Sequence, residues 1–276
     1  MSITVIIPAC NRPAQLARCL ALLPADACVI VSDDSRDDAV PQMLARDFPA
    51  VRRVQGPRRG PAANRNCGAR AANSEWLAFI DDDCEPQPGW LAAFAEADAD
   101  VIEGRTVAPG AKDSPFEEHV ENTSGGLFWS CNLAIRRAAF EQLGGFDEDF
   151  AEAGGEDMEF AWRIQRSRLH THFAPAALVY HAPRRIGWRG LWGRTWMIRW
   201  MPLYRIKTGQ ASTLAASALR EVLDLLRITL HLFTRPEPSR WRRRTFAVLW
   251  RWFTFPAVMP WLLYWELRFR KKGARQ

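Results

Sequence analysis

Short apolar runs alternate with helical patterning through the first third of the chain. Residues 3–7 (Ile-Thr-Val-Ile-Ile), 28–32 (Cys-Val-Ile-Val-Ser) and 76–80 (Trp-Leu-Ala-Phe-Ile) read as strands, because continuous apolar stretches of this length suit strands buried on both faces. Val51 to Val54 reads as a short strand between helical segments. Between them, residues 13–23, 38–47 and 61–72 pattern as helices. The first is opened by Pro13, where a missing N–H is tolerated. This β-α-β-α-β-α-β order predicts a parallel sheet with helices on both faces. After Pro88 the pattern loosens, and Pro109 to Gly126 reads as a long loop. Neither an internal repeat nor a low-complexity tract is visible.

The last third is patterned differently. Trp188, Trp192, Trp196 and Trp200 recur every four residues, one helical face, with Arg185, Arg189, Arg194 and Arg199 interleaved. Farther on, Arg220, Asp224, Arg227 and His231 form a narrow polar stripe, and Leu219, Val222, Leu223, Leu225, Leu226 and Leu230 fill much of the remaining circumference. A helix so apolar is buried in protein or lipid. Phe246 to Trp265 is an apolar stretch of 20 residues with one charge, Arg251, and two prolines, Pro256 and Pro260.

Charge sharpens the division. Residues 1–183 hold 17 Lys+Arg against 27 Asp+Glu, while residues 184–276 hold 20 against 4, so the net +6 hides an acidic part and a basic one. Nine of the 13 tryptophans lie in the basic part. Two domains are therefore expected, an acidic 1–183 and a basic, helical 184–276. Arg240, Arg242, Arg243 and Arg244 precede the apolar stretch; Arg268, Arg270, Lys271 and Lys272 follow it. Basic residues on both sides argue against a clean spanning orientation. Tryptophan with arginine suits the headgroup interface of an anionic membrane. Peripheral or re-entrant attachment thus ranks above a single span, with a helical subdomain packed on protein as the remaining reading. Nucleic acid is excluded as a partner, because the long apolar runs would serve no purpose on such a surface.

The six cysteines include no CxxC pair, which points to core thiols in a reducing compartment rather than to disulfides or a zinc site. The first strand begins almost at Met1 with no signal peptide before it, so the N-terminal part is expected on the cytoplasmic side.

Polar clusters follow the strands. Pro8-Ala9-Cys10-Asn11-Arg12 ends the first, Asp33-Asp34-Ser35 the second, and Asp81-Asp82-Asp83 the fourth; Gly56-Pro57-Arg58-Arg59-Gly60 leads into a helix carrying Asn64-Arg65-Asn66. Ligands of open α/β sheets bind beyond the carboxyl ends of strands. Three adjacent carboxylates need compensation, and a hard divalent cation carrying phosphate oxygens supplies it. Neither Gly-x-Gly-x-x-Gly nor a Walker A pattern occurs, which excludes a dinucleotide dehydrogenase and a P-loop enzyme.

These segments, together with Gly144-Gly145-Phe146-Asp147-Glu148 and Gly155-Glu156-Asp157-Met158-Glu159-Phe160, resemble in order and approximate spacing the signatures of family 2 glycosyltransferases over residues 3–183. The resemblance implies a GT-A fold (a Rossmann-like, mostly parallel sheet), a nucleotide-diphosphate sugar donor, Mn²⁺ or Mg²⁺, and inverting transfer to a glycan or lipid-linked acceptor. It places Pro8, Ala9 and Arg12 around the base, with Asp34 accepting a hydrogen bond from it, and Arg65 beside the nucleotide. Asp81 and Asp83 bracket a DxD motif in which Asp82 faces the ribose and Asp83 the metal, the register being open by one residue. His181, after the apolar stretch 176–180, is a further metal ligand by the same resemblance. Asp157 is the candidate base, with Glu156 its rival. Asp157 falls in the first turn of a helix, whose positive end is expected to hold it ionised. Trp129 in Trp129-Ser130-Cys131-Asn132-Leu133, which resembles an acceptor-side strand, could stack on a sugar. His119, His170 and His172 read as structural. Two other functions compete: a sugar-1-phosphate nucleotidyltransferase, and an inactive nucleotide-sugar-binding scaffold.

Overall fold

The apolar runs become the strands expected of them. The computed structural model describes residues 1–110, 114, 116–197, 200–210, 214–234 and 241–273. In chain order its elements begin β1 (Ile3–Ala9), α1 (Pro13–Ala21), β2 (Cys28–Asp33), α2 (Ala39–Asp47), β3 (Arg52–Gln55), α3 (Pro61–Ala71) and β4 (Trp76–Phe79). They continue with β5 (Cys84–Pro86), α4 (Trp90–Ala95), β6 (Val101–Val107), β7 (Glu117–Glu118), β8 (Leu133–Arg136), α5 (Arg137–Gln142), α6 (Glu156–Arg166), β9 (Thr171–His181) and β10 (Arg184–Arg185). Four helices complete the chain: α7 (Trp188–Met197), α8 (Trp200–Lys207), α9 (Leu214–Thr234) and α10 (Trp241–Gly273).

Eight strands form one sheet in the order β3-β2-β1-β4-β8-β6-β9-β5. The first four are parallel, as are β6 and β9; β8 and β5 run antiparallel to their neighbours. This is a GT-A-type sheet, mostly parallel, with helices on both faces.

Side-chain alternation explains the unbroken apolar strands. Val5 and Ile7 join one core with Trp76, Ala78, Ile80, Trp90 and Phe94, while Ile6, Leu77 and Phe79 join a second with Phe140, Phe146 and Phe160. A strand covered on both faces needs an apolar residue at every position. The second core is largely aromatic: Phe79, Phe140, Phe146 and Phe160 contact one another with centroids 4.4–5.8 Å apart.

The sequence pattern misses α4, β6 and α5. The two helices have only six residues each. Strand β6 carries Glu103 and Arg105 and so lacks an apolar run. The expected loop of Pro109 to Gly126 contains β7 and a bridge between Thr106 and Asn122; residues 111–113 and 115 lie outside the described residues.

The chain forms two compact units, Met1–Pro109 with Val120–Ala182, and Gly110–His119 with Pro183–Gln276. In the second, β7 pairs antiparallel with β10, and Trp188 and Trp192 lay their rings against Trp250, with centroids 5.9 and 5.6 Å apart. Within the predicted polar stripe and arginine clusters, Arg199 and Arg240 lie outside the described residues, as do the side chains of Arg194, Trp196, His231, Arg242, Arg243, Lys271 and Lys272. Helix α10 runs through Pro256 and Pro260 without a break. Within its segment Arg244–Arg270 the most apolar window of 18 residues has a mean hydropathy of 1.3, and among the described residues this is the one helix long and apolar enough to cross a membrane. On α9, Leu225 is buried, whereas Leu219, Leu223, Leu226 and Leu230 stand exposed at helical spacing.

Candidate active site

The carboxyl ends of β1, β2 and β4 bring three of the predicted polar clusters to one edge of the sheet. Arg12, which follows β1, reaches the aspartates: its guanidinium lies 2.8 Å from Asp82 and 2.8 Å from Asp83. The side chain expected near a base is therefore engaged with the acidic triplet. Pro8 is half-buried and Ala9 buried at the end of β1.

The two aspartates after β2 divide their work. Asp33 is fully buried, accepting from the Ser35 amide at 2.9 Å and pairing with Arg53 at 2.8 Å, so it holds the turn. Asp34 accepts a hydrogen bond from the Arg58 amide at 2.7 Å. Burial raises its carboxyl pKa; the Arg58 amide opposes the shift, and Asp33 adds to it. Gly56 makes room for this carboxyl, since a Cβ there would come within 2.2 Å of Asp34 Oδ1.

Helix α3 turns three polar residues inward. Asn64 accepts from the Ser32 hydroxyl at 2.6 Å, fixing the helix to β2. Asn66 bonds both ways to the Phe146 backbone, donating at 2.8 Å and accepting at 2.9 Å. Between them, buried Arg65 reaches Asp81 at 2.8 Å and Glu156 at 3.3 Å, with its guanidinium 5.6 Å from the Phe146 ring centroid. Arg65 therefore ties the end of β4 to the start of α6.

At that start, Glu156 is saturated. Its Oε2 accepts the Gly154 and Gly155 amides at 2.8 and 3.1 Å, and its Oε1 faces Arg65. Gly154 and Gly155 have φ of +120° and +150°, a region other residues rarely enter, and it is this backbone that turns both amides onto Glu156. Asp157 is half-buried, with Oδ1 shielded from solvent and without a hydrogen-bond partner. Its pKa is pushed up to about 7, first by burial; Arg65 opposes this, the charges of Glu156 and Asp81 add to it, and the neighbouring Ser130 hydroxyl lowers it. Burial thus works against the helix end that is expected to hold Asp157 ionised. Ser130, which the sequence did not single out, is the neighbour that an apolar-pattern reading passes over.

A second group gathers at Asp83. Its Oδ1 lies 3.6 Å from His181 Nε2, and with Cys84 these residues offer three ligand atoms within 4.8 Å of one another. His181 Nδ1 faces the Ala182 carbonyl at 3.2 Å. A carbonyl only accepts, so Nδ1 is the donor to it and Nε2 is the ring nitrogen turned toward Asp83. This oxygen and nitrogen donor set fits a divalent cation. Asp81, expected beside Asp83 as a ligand, is engaged with Arg65 instead and is not in the three-atom group. Burial, reinforced by Cys131, raises the Cys84 thiol well above its usual range.

The segment of Trp129 is corrected by the structure: Ser130–Asn132 form a 3₁₀ turn, and the strand begins only at Leu133. Trp129 caps that turn, half-buried against the core. The preceding loop hangs on Glu103, whose buried carboxylate accepts the Asn122 side chain at 2.8 Å and the amides of Gly126, Leu127 (3.1 Å) and Phe128 (3.0 Å). A glutamate inside a strand has no sequence signal that marks it as a loop anchor. His172 lies on β9, and His170 immediately before it. His119 lies in the other unit, 3.7 Å from Glu117.

Residues 4–144 match the family model described as glycosyl transferase family 2, and residues 117–184 match one described as the N-terminal domain of galactosyltransferase. Among curated proteins, a pre-mycofactocin glycosyltransferase of Mycobacterium tuberculosis is 26% identical over 206 residues, covering 66% of this chain and 43% of the relative. A validoxylamine A glucosyltransferase of Streptomyces hygroscopicus is 31% identical over 228 residues, covering 63% of this chain and 49% of the relative. The chain thus spans less than half the length of these relatives. Among solved structures, the mannosyltransferase PcManGT from Pyrobaculum calidifontis, in complex with GDP-Man and Mn²⁺, superposes with a TM-score of 0.58 at 18% identity, covering 96% of this chain and 86% of that one.

Proposed function

The chain belongs to glycosyl transferase family 2, and on that premise we propose that it transfers a sugar from a nucleotide-diphosphate donor to a glycan or lipid-linked acceptor with inversion. One observation carries this reading. Asp157, in the first turn of α6, stands beside Arg65, which also holds Asp81 at 2.8 Å at the strand end expected to receive the donor, and burial raises the Asp157 carboxyl to about 7. A general base works best when its pKa lies near the operating pH.

Asp157 takes the proton from the acceptor hydroxyl as that oxygen attacks the anomeric carbon from the face opposite the diphosphate. Glu156 serves instead as a fixed anion, because its oxygens are already occupied by two amides and Arg65. Arg65 keeps this cluster of carboxylates from repelling itself apart. Asp34 and the end of β1, with Pro8, Ala9 and Arg12, receive the base, Arg12 also meeting Asp82 and Asp83 at 2.8 Å. Trp129, at the lip of the 3₁₀ turn, offers a face for the acceptor sugar. Asp83 and His181 would hold Mn²⁺ or Mg²⁺, with Asp81 and Asp82 just before Asp83 in sequence. A divalent cation bound there would stabilise charge on the departing diphosphate.

The basic helices attach the enzyme to the cytoplasmic face of an anionic membrane. Support comes from the exposed Trp188, Trp192, Trp252 and Phe253 near Arg189, Arg244 and Arg251 in sequence. Acceptors presented at that surface, such as lipid-linked glycans, then become accessible.

Calorimetry with UDP-, GDP-, dTDP- and CDP-sugars, with and without Mn²⁺, tests the donor site. Binding of one donor that needs the cation and vanishes in Asp83→Ala supports the reading. Folded protein that binds no donor would return the chain to a scaffold role. The anomeric configuration of the product, read by NMR, decides inversion.

A further inference from the structure

We infer that Cys84 is a third protein ligand in the cation site of Asp83 and His181, and that its sulfur makes the site select borderline metals such as Zn²⁺ and Co²⁺ over Mg²⁺. This rests on the proposed cation site but goes beyond it, since neither the donor chemistry nor the aspartate motif calls for a thiol.

The strand register carries the argument. In the antiparallel pairing of β5 with β9, Cys84 lies directly opposite His181. Directly paired residues project to the same side of a sheet with their Cβ atoms about 5 Å apart. Asp83, one residue earlier, brings Oδ1 to 3.6 Å from His181 Nε2. Sulfur, nitrogen and oxygen therefore converge within 4.8 Å, the first two on a strand pair whose backbone hydrogen bonds fix their spacing and the oxygen from the turn just before it. All three aspartates of the triplet meet arginines at 2.8 Å, Asp81 at Arg65 and Asp82 and Asp83 at Arg12, Asp83 through Oδ2 while its Oδ1 is the oxygen turned to His181.

Donor chemistry then sets the preference. Mg²⁺ favours oxygen and keeps its waters, whereas imidazole and thiolate suit Zn²⁺ and Co²⁺. A metal bound through Cys84 replaces the thiol proton, which leaves to solvent, and one metal–sulfur bond forms without any redox change. Cys84 is 1% exposed, so the same burial that keeps the free thiol inert shields the metal–sulfur bond from exchange.

The test is a Co²⁺ titration of the metal-free full chain, followed by near-ultraviolet absorption and by calorimetry. The inference expects a thiolate-to-cobalt charge-transfer band at one equivalent, bleached by Zn²⁺ and untouched by excess Mg²⁺. The band should disappear in Cys84→Ser and survive in Cys131→Ser, and Cys84→Ser should lose ~10-fold or more in Zn²⁺ affinity. Zinc-edge X-ray absorption of the wild-type protein, which needs no variant, should show a sulfur at about 2.3 Å. Heat of Co²⁺ binding without the band, or a band that persists in Cys84→Ser, overturns the role of Cys84 and leaves Asp83 and His181 standing. No binding of Co²⁺, Zn²⁺ or Mn²⁺ at all overturns both the inference and the cation site beneath it.

Discussion

Arg65 Nη1 lies 3.3 Å from Glu156 Oε1, a buried contact between residues 91 positions apart. The same guanidinium holds Asp81 at 2.8 Å, so one side chain joins the acidic strand end to the helix that carries the candidate base. Removing it leaves carboxylates buried without their counter-charge. Arg65→Ala should lower stability by roughly 3–5 kcal/mol, measured by urea unfolding, and should raise the pKa of Asp157 further. Arg65→Lys should restore little, because an ammonium cannot fork between two carboxylates. A stability loss within error of zero would remove Arg65 from the centre of this network.

Asp157 should dominate the pH profile. With its pKa near 7, kcat/KM should rise as pH climbs through that value and level off above it. Asp157→Asn should cost ~10²–10⁴-fold in kcat while leaving donor binding close to wild type. The stability sign runs the other way from activity. The folded pKa lies above the unfolded one, so the native state binds the extra proton and loses stability as pH rises from about 4 to about 7. Melting curves of Asp157→Asn should lack that slope. An unchanged activity profile in the variant would pass the base role to another group.

Glu103 is a prediction about order rather than chemistry. Its carboxylate collects three backbone amides and the Asn122 side chain. Glu103→Gln turns an amide donor toward donors and should cost about 2–3 kcal/mol. Hydrogen exchange at Gly126, Leu127 and Phe128 should quicken more than in the β1 and β2 core. Equal protection at those amides in the two proteins would mean the loop is held by something else.

Membrane attachment predicts a salt dependence. Each basic residue near an anionic surface contributes about 1 kcal/mol, screened within a Debye length. Binding to vesicles rich in phosphatidylserine should exceed binding to neutral vesicles and weaken as salt rises. Release by alkaline carbonate would favour the interfacial arrangement over a span through Arg244–Arg270. Equal binding to neutral and anionic vesicles would remove the electrostatic part of the proposal.

The strands β1, β2 and β4 were legible because burial on both faces favours an apolar residue at each position, a pattern carried by local sequence, whereas the largely exposed β3 was legible only from its place in the alternation of elements. Helix α6 was legible in the same way, from acidic residues at its start and apolar spacing after it. Strand β6 was not, because the donors that satisfy Glu103 arrive from residues about 20 positions away. The acidic triplet announced a charged site, but Asp81, Asp82 and Asp83 look alike in sequence.

The sequence by itself determined the alternating order of elements, the acidic and basic division, and the clusters that end on one edge of the sheet. Each of these follows from short-range periodicity and composition, which a chain displays before it folds. Tertiary structure alone decided which carboxylate meets which cation. Arg65 stands by Asp81 and Glu156, Arg12 by Asp82 and Asp83, and His181 opposite Cys84. It also decided that burial lifts Asp157 to about 7 against the pull of its helix end. Electrostatic energies depend on distances of a few ångströms and on the exclusion of water, and neither exists until strands from distant parts of the chain are side by side.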